Sequence, residues 1–414
     1  MRGETRILDV LRPRKPSLRD TLESFAVAHQ DLILMVLRRL VPILRIGQMV
    51  LITRRDDIRE VFLDDVSFPV SYADRLDVIM GDQPFILGME DGPAYRRDTG
   101  ALRLVMRPDD LQRLADAATA RAHALVAAAA GTIEVVDYIR QVTFDVFCEY
   151  FGFTAPPGQD LRVIATRLFE FQFLDHFNDP TLLAEVQPMA KTLRDHFDHL
   201  IAARKSDPAK DDVLGRCLVF QAKDCEGFSD IQIRTALIGF LVGGLPQLPM
   251  AAPQALEQLL QRPDSLAESQ VLAREDDDEA LAGYVFEALR FDPLAPLLKR
   301  RTKRDRTIAA GTLRSSTVKE GATVLVALGS AMRDPRRVAY PDSFDPTRPW
   351  SVYVHFGLGL HSCFATSINR RLIPLMLKAL LRCEGLRRAP GDRGKLLKRG
   401  LVAERLWVTF SSVP

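Results

Sequence analysis

A single thiol, two glycines and the start of an apolar helix stand together in Phe356-Gly-Leu-Gly-Leu-His-Ser-Cys-Phe-Ala365, and no other stretch restricts this chain as tightly. The apolar run from Thr366 to about Leu381 reads as a helix opening directly behind the thiol. A thiolate at a helix N-terminus is stabilised by free backbone N–H groups and by the positive end of the helix dipole. Gly357 and Gly359 free the preceding loop to turn tightly and to approach a flat ligand closely. The same placement also suits a buried structural cysteine, so partners elsewhere must decide.

The chain has 414 residues and a net charge of +2, which gives no global attraction to nucleic acid. Its five cysteines are Cys148, Cys217, Cys225, Cys363 and Cys383. An odd, scattered set without a C-x-x-C pair argues for a reducing compartment and against a disulfide frame or structural zinc. No signal peptide is read, and the expected location is cytoplasmic. The apolar stretch from Asp31 to Leu44 is broken by Arg38, Arg39 and Pro42 and is too short to span a bilayer. It reads as an amphipathic helix, with peripheral membrane contact left open.

Residues 1–20 read as a basic arm. A strand is expected from Ile46, a short helix over 56–63, and an irregular binding loop or lid over 67–90. Helices are expected from about Ala94 to Arg290. Short strands punctuated by Gly311 and Gly321 follow Pro293, and further strands are expected around Val402 to Phe410. There is no internal repeat. The class is mainly α with a smaller β portion, as one continuous domain.

Two more features precede the thiol loop. Glu287 and Arg290 are three apart on one helix face and can pair. Alone they would be a solvated surface pair of little worth. Phe344-Asp-Pro-Thr-Arg348 supplies another arginine in a loop region. In this order the three features resemble the cytochrome P450 superfamily, where Glu-x-x-Arg precedes Phe-x-Pro-x-Arg and then Phe-x-x-Gly-x-x-x-Cys-x-Gly. Ala327 to Pro335 is similar to that family's Ala-Asn-Arg-Asp-Pro run, and Ala365 departs from the final glycine.

The resemblance implies a P450 fold, with heme b held between a long distal helix and the helix of the cysteine loop. It makes Cys363 the thiolate ligand of the iron, with Phe356 and Gly357 packed beneath the ring. His361 and Arg300 would meet heme propionates, with Arg301 as a substitute for Arg300. Tyr95, where the family has His, and Arg97 or Arg103 would serve a second propionate. Glu287, Arg290 and Arg348 would be a buried structural triad. Phe85, Ile86, Phe171, Phe173, Leu245, Leu294 and Leu297 would line the substrate pocket, near Phe169 and Phe177.

The distal helix departs most from the family. Gly243, Gly244, Pro246 and Gln247 stand at its oxygen-handling turn, and Pro246-Gln247 replaces the usual acid followed by Thr. Neither residue relays protons as that pair does. Pro246, Pro249 and Pro253 should kink the helix. The implied function is a heme-thiolate monooxygenase acting on an apolar small molecule such as a fatty acid, terpenoid or aromatic, with a ferredoxin-type electron donor. Arg370, Arg371 and Arg103 would form the donor's docking patch. A peroxide-driven peroxygenase or hydroperoxide isomerase, which needs no donor, is the alternative. A non-catalytic heme-binding member is the third reading.

Overall fold

The structure, a computed structural model, describes residues 30–175, 178–206, 210–399 and 402–412. The basic arm and Phe177 lie outside them. Helices hold 57% of the structure and strands 10%, the class the sequence implies. The helices used below are α1 (Gln30–Leu40), α2 (Ala73–Met80), α3 (Asp110–Ala128), α4 (Val135–Phe151), α5 (Leu161–Phe169), α6 (Pro180–Arg204), α7 (Asp230–Gly244), α8 (Leu248–Leu260), α9 (Asp278–Phe291) and α10 (Thr366–Leu381).

Local chemistry starts several of these helices. Ser229 accepts from the Gln232 N–H while the Gln232 amide oxygen accepts from the Ser229 N–H, closing a capping box at α7. Asp277 caps α9 through the Ala280 N–H at 3.0 Å, and Glu134 caps α4 through Asp137 at 2.7 Å. The larger apolar core is helical and contains α4, α7, α8 and α10. A second, smaller core lies against a mixed sheet. In that sheet β1 (Ile43–Ile46) and β2 (Met49–Ile52) form a hairpin, and β3 (Leu298–Arg301) flanks β4 (Thr323–Val326). The order is β1-β2-β4-β3, with β2 and β4 parallel.

Two expectations need correction. The strand expected from Ile46 is a hairpin, because Gly47 takes φ +57° and reverses the chain. The region 67–90 holds α2, whose Leu76, Ile79 and Met80 are buried at helical spacing. Prolines divide the long distal segment as expected. After α7 come a 3-10 turn over Leu245–Gln247 and then α8. Asp230–Leu260 is the one stretch among the described residues long and apolar enough to cross a membrane, and 83% of that apolar window is buried inside the protein.

Candidate functional site

The thiol loop is built by its own backbone. The Cys363 N–H donates to the Phe356 carbonyl at 2.8 Å, and the Ser362 N–H to Gly359 at 3.1 Å. Gly357 and Gly359 sit at φ +70° and +75°, where a side chain is strained. A Cβ on Gly359 would also stand 2.3 Å from the Phe62 carbonyl oxygen, so only glycine fits. α10 begins three residues after Cys363, and the Thr366 hydroxyl ties back to the Cys363 carbonyl at 2.7 Å.

Sulfur environments separate the cysteines. Burial pushes the thiols of Cys148 and Cys217 up to about 12 and Cys383 up to about 11. Burial also raises Cys363, but there the Ala365 N–H, Thr366 and Asn369 oppose it. The Asn369 amide lies 3.8 Å from the sulfur. Cys363 is thus placed to carry charge once a cation neutralises it.

Behind the loop stands a buried charge cluster. Arg290 grips Glu287 through two bonds of 2.7 and 2.8 Å, and both side chains are fully buried. Arg348 adds a third at 3.2 Å. Both arginines then bind loop carbonyls: Arg290 binds Pro341 and Ser343, and Arg348 binds Ala339 and Tyr340. The surface-pair reading of Glu287 and Arg290 therefore fails. Two members escaped the sequence reading. The Tyr353 hydroxyl donates to Glu287 at 3.1 Å, and His355 lies 3.2 Å from the Phe286 carbonyl, stacked on Tyr353. Burial pushes His355 down to about 4. An aromatic residue three and a histidine one before Phe356 were the available signal.

The loop's rim carries cations. Arg300 is 2% exposed and lies over the Phe62 ring at 4.8 Å. It donates to the Lys299 carbonyl at 3.1 Å, while its Nε finds no partner among the described residues. His361 is pushed down to about 4 by burial and the Arg300 charge. Asp65, unforeseen in the sequence, accepts from the Leu360 N–H at 3.4 Å and leaves its second oxygen unpartnered. A cavity of about 420 Å³ opens beside Asp65, Thr302 and His361. Tyr95 joins the loop rather than facing an open site: its hydroxyl donates to the Leu360 carbonyl at 2.8 Å. Arg97 is not brought here. It pairs with Asp98 at 2.7 Å and faces the Gly227 turn. Arg103 is exposed.

The opposite wall is α7 and its 3-10 extension. Most of that segment is buried, yet Gly243, Gly244 and Gln247 are half-open. A Cβ on either glycine would meet nothing within 4 Å, so space lies beside them. The Gln247 amide donates to the Gly243 carbonyl, a bond internal to the broken helix. Pro246 offers no N–H to Val242, so the turn keeps a backbone acceptor without its usual helical donor. One turn earlier Phe85 covers Gly239, where a Cβ would come within 2.2 Å of the ring. Phe240 meets Phe364, the neighbour of Cys363, at 5.8 Å between ring centres.

The other predicted pocket residues scatter. Ile86 and Leu245 are buried in the large core. Phe171 is buried under Arg75, and Phe173 packs on Tyr72 and Phe169. Leu294 packs on the large core and Leu297 on the small one. Arg75 on α2 also binds the Phe171 carbonyl at 2.6 Å and Asn178 at 2.6 Å. Arg194 on α6 holds the other end of α2 through Val78 and Ile79. The lid helix is thus fastened at both ends.

The residues of these walls suit a flat, carboxylate-bearing ring. The unpartnered Nε of buried Arg300 suits an anion, the positive-φ glycines admit close approach, and Cys363 offers sulfur. A family model described as Cytochrome P450 matches residues 134–383. The chain is 26% identical to the protein named Cytochrome p450 CYP199A2 of Rhodopseudomonas palustris, over 80% of this chain and 78% of that one. It is 34% identical to a bifunctional dioxygenase (DOX)-epoxy alcohol synthase (EAS) of Fusarium oxysporum over 30% of this chain, and that match spans 10% of the fungal protein. Among solved structures, P450BioI in complex with hexadec-9Z-enoic acid ligated acyl carrier protein superposes with a TM-score of 0.79 at 21% identity, covering 93% of this chain and 100% of that one.

Proposed function

The chain belongs to the cytochrome P450 family and is a heme b oxidoreductase of that fold, and from this premise we propose that it acts on an organic hydroperoxide of an apolar, unsaturated substrate. The carrying observation is the distal turn. Pro246 and Gln247 stand where a proton-relaying pair is expected, and the Gln247 amide is already committed to the Gly243 carbonyl.

Bound heme would supply an iron centre made electron-rich by a thiolate ligand. Cys363 would hold that iron, with Asn369 and the Ala365 N–H tempering the sulfur's charge. Arg300 and His361 would hold ring carboxylates. The Glu287–Arg290–Arg348 cluster would hold the segment 339–343 and, through the Tyr353 hydroxyl, the chain that leads into the sulfur's loop. On the other wall no carboxylic acid or alcohol stands at 246–247 to deliver protons to dioxygen. A hydroperoxide brings its O–O bond and its hydrogen with it. Its rearrangement to an epoxy alcohol conserves every atom and needs no external electrons. The space beside Gly243 and Gly244 would admit the polar end, and Phe85, which covers Gly239 one turn away, would offer apolar surface to the chain. The name of the fungal relative, which couples a dioxygenase to an epoxy alcohol synthase, supports this reading.

A second reading is a monooxygenase fed by a ferredoxin-type donor in the cytoplasm. Its support is the likeness to CYP199A2 along most of both chains. The expected docking arginines are partly engaged: Arg370 lies over Trp350 at 3.8 Å and Arg371 pairs with Asp278 at 3.2 Å.

The test incubates the heme-loaded protein with an unsaturated fatty acid hydroperoxide and no reductant. A parallel reaction supplies the parent fatty acid, dioxygen and a surrogate ferredoxin system. Hydroperoxide consumption in the first reaction is the expected result. An inert first reaction alongside turnover in the second overturns it.

A further inference from the structure

α1 is built inside out. It turns the Arg38 guanidinium inward, onto the carbonyl and hydroxyl of Ser330 at 3.1 and 2.8 Å, and buries Leu34 beside it. It turns Leu32, Ile33, Val36 and Leu40 outward at one-turn spacing. The hairpin that follows carries Ile46 and Met49 opposite each other at its tip, beside the Gly47 turn. These six side chains are between 39% and 75% exposed. With Val41 they account for seven of the sixteen large hydrophobic side chains exposed among the described residues, within eighteen positions of chain. Scattered exposed aliphatics are ordinary, but such a concentration marks a contact surface.

Charge selects the partner. The first fifty residues hold nine Arg and Lys against five Asp and Glu, while the rest of the chain holds 47 against 49. The first fifty residues therefore carry the chain's net positive charge, and among the described ones Arg39 and Arg45 are exposed between the aliphatics, with Asp31 the one acid of α1 and the hairpin. Apolar side chains bordered by arginines suit the boundary between lipid headgroups and acyl chains of an anionic bilayer.

We propose that α1 and the tip of the β1–β2 hairpin form a reversible docking surface for an anionic lipid membrane. The proposal does not depend on which oxidant the heme uses. The aliphatic face and the exposed arginines lie on α1 and the β1–β2 hairpin, elements apart from the thiol loop, so the surface can be altered while the heme site stays intact.

The full-length, heme-loaded protein is sedimented with vesicles of phosphatidylcholine alone or with about 30% phosphatidylglycerol. Binding is expected to the anionic vesicles only, and to weaken as salt rises. V36E/L40E should reduce it by more than about tenfold, and R39E/R45E should abolish the preference for anionic lipid. An unchanged carbon monoxide difference spectrum shows that the variants are folded. No binding to anionic vesicles overturns the proposal. So does a V36E/L40E variant that binds vesicles as before, or one that instead converts a dimer into a monomer by light scattering, which would make the face a self-contact.

Discussion

The Glu287 carboxylate receives two arginines, the Tyr353 hydroxyl and the Asp345 N–H at 2.9 Å. Removing one partner of such a desolvated set leaves a charge buried and uncompensated, at a cost of about 3–5 kcal/mol. His355 sits beside it as a neutral imidazole. Its ordinary value is 6.5, and burial takes it down to about 4. The folded state therefore disfavours protonation more than the unfolded chain does. The stability this implies is full above pH 6.5 and drains away as pH falls toward 4. H355F should flatten that part of the acid limb, as read from urea midpoints across the range. An unchanged slope would place the acid sensitivity elsewhere. The triad was legible in the sequence because its three members stand in a fixed order. Tyr353 and His355 were not, since they reach Glu287 and Phe286 across about seventy residues of chain.

At the scale of elements, the break in the distal segment is legible in the sequence and α2 is not. Prolines announce a break because they lack an N–H wherever they stand. They do not announce that a glutamine side chain will fold back onto the turn, as Gln247 does onto the Gly243 carbonyl. The glycines and prolines around α2 carry the turn signal of a loop and mask the Leu76–Met80 stripe. Its tethers, Arg75 and Arg194, are set by tertiary contact and leave no local pattern. P246A restores a donor to the broken turn. It should stabilise the folded protein by about 1–3 kcal/mol while lowering hydroperoxide turnover, because a continuous helix no longer offers the Val242 carbonyl. Thermal melts and initial rates on the same preparation check both halves.

For the whole molecule, the large helical core carries both α7 and α10, the small sheet-side core reaches the thiol loop through Phe62 and Leu358, and the lining around that loop is poorly satisfied by protein alone. Arg300 Nε, Asp65 Oδ1 and Thr302 Oγ1 are buried without partners among the described residues. Heme should therefore contribute substantially to stability. Binding at about a thousandfold excess over its dissociation constant adds about 4 kcal/mol. Removing heme should lower the melting temperature, and hydrogen exchange should rise most in 239–247 and 356–369. It should rise least in the β1–β2 and β4 strands, which pair without reference to the ring.

Gly359 ties the thiol loop to the sheet-side core, since any Cβ there would stand 2.3 Å from the Phe62 carbonyl oxygen, and Phe62 belongs to that cluster. A shift of that small core by a few tenths of an ångström has nowhere to go except into the loop that ends at Cys363. The heme's absorption band thereby becomes a gauge of distant packing. Substitutions around Ile52, Ile58 or Val326 should be visible as a change of colour before they are visible as a loss of fold.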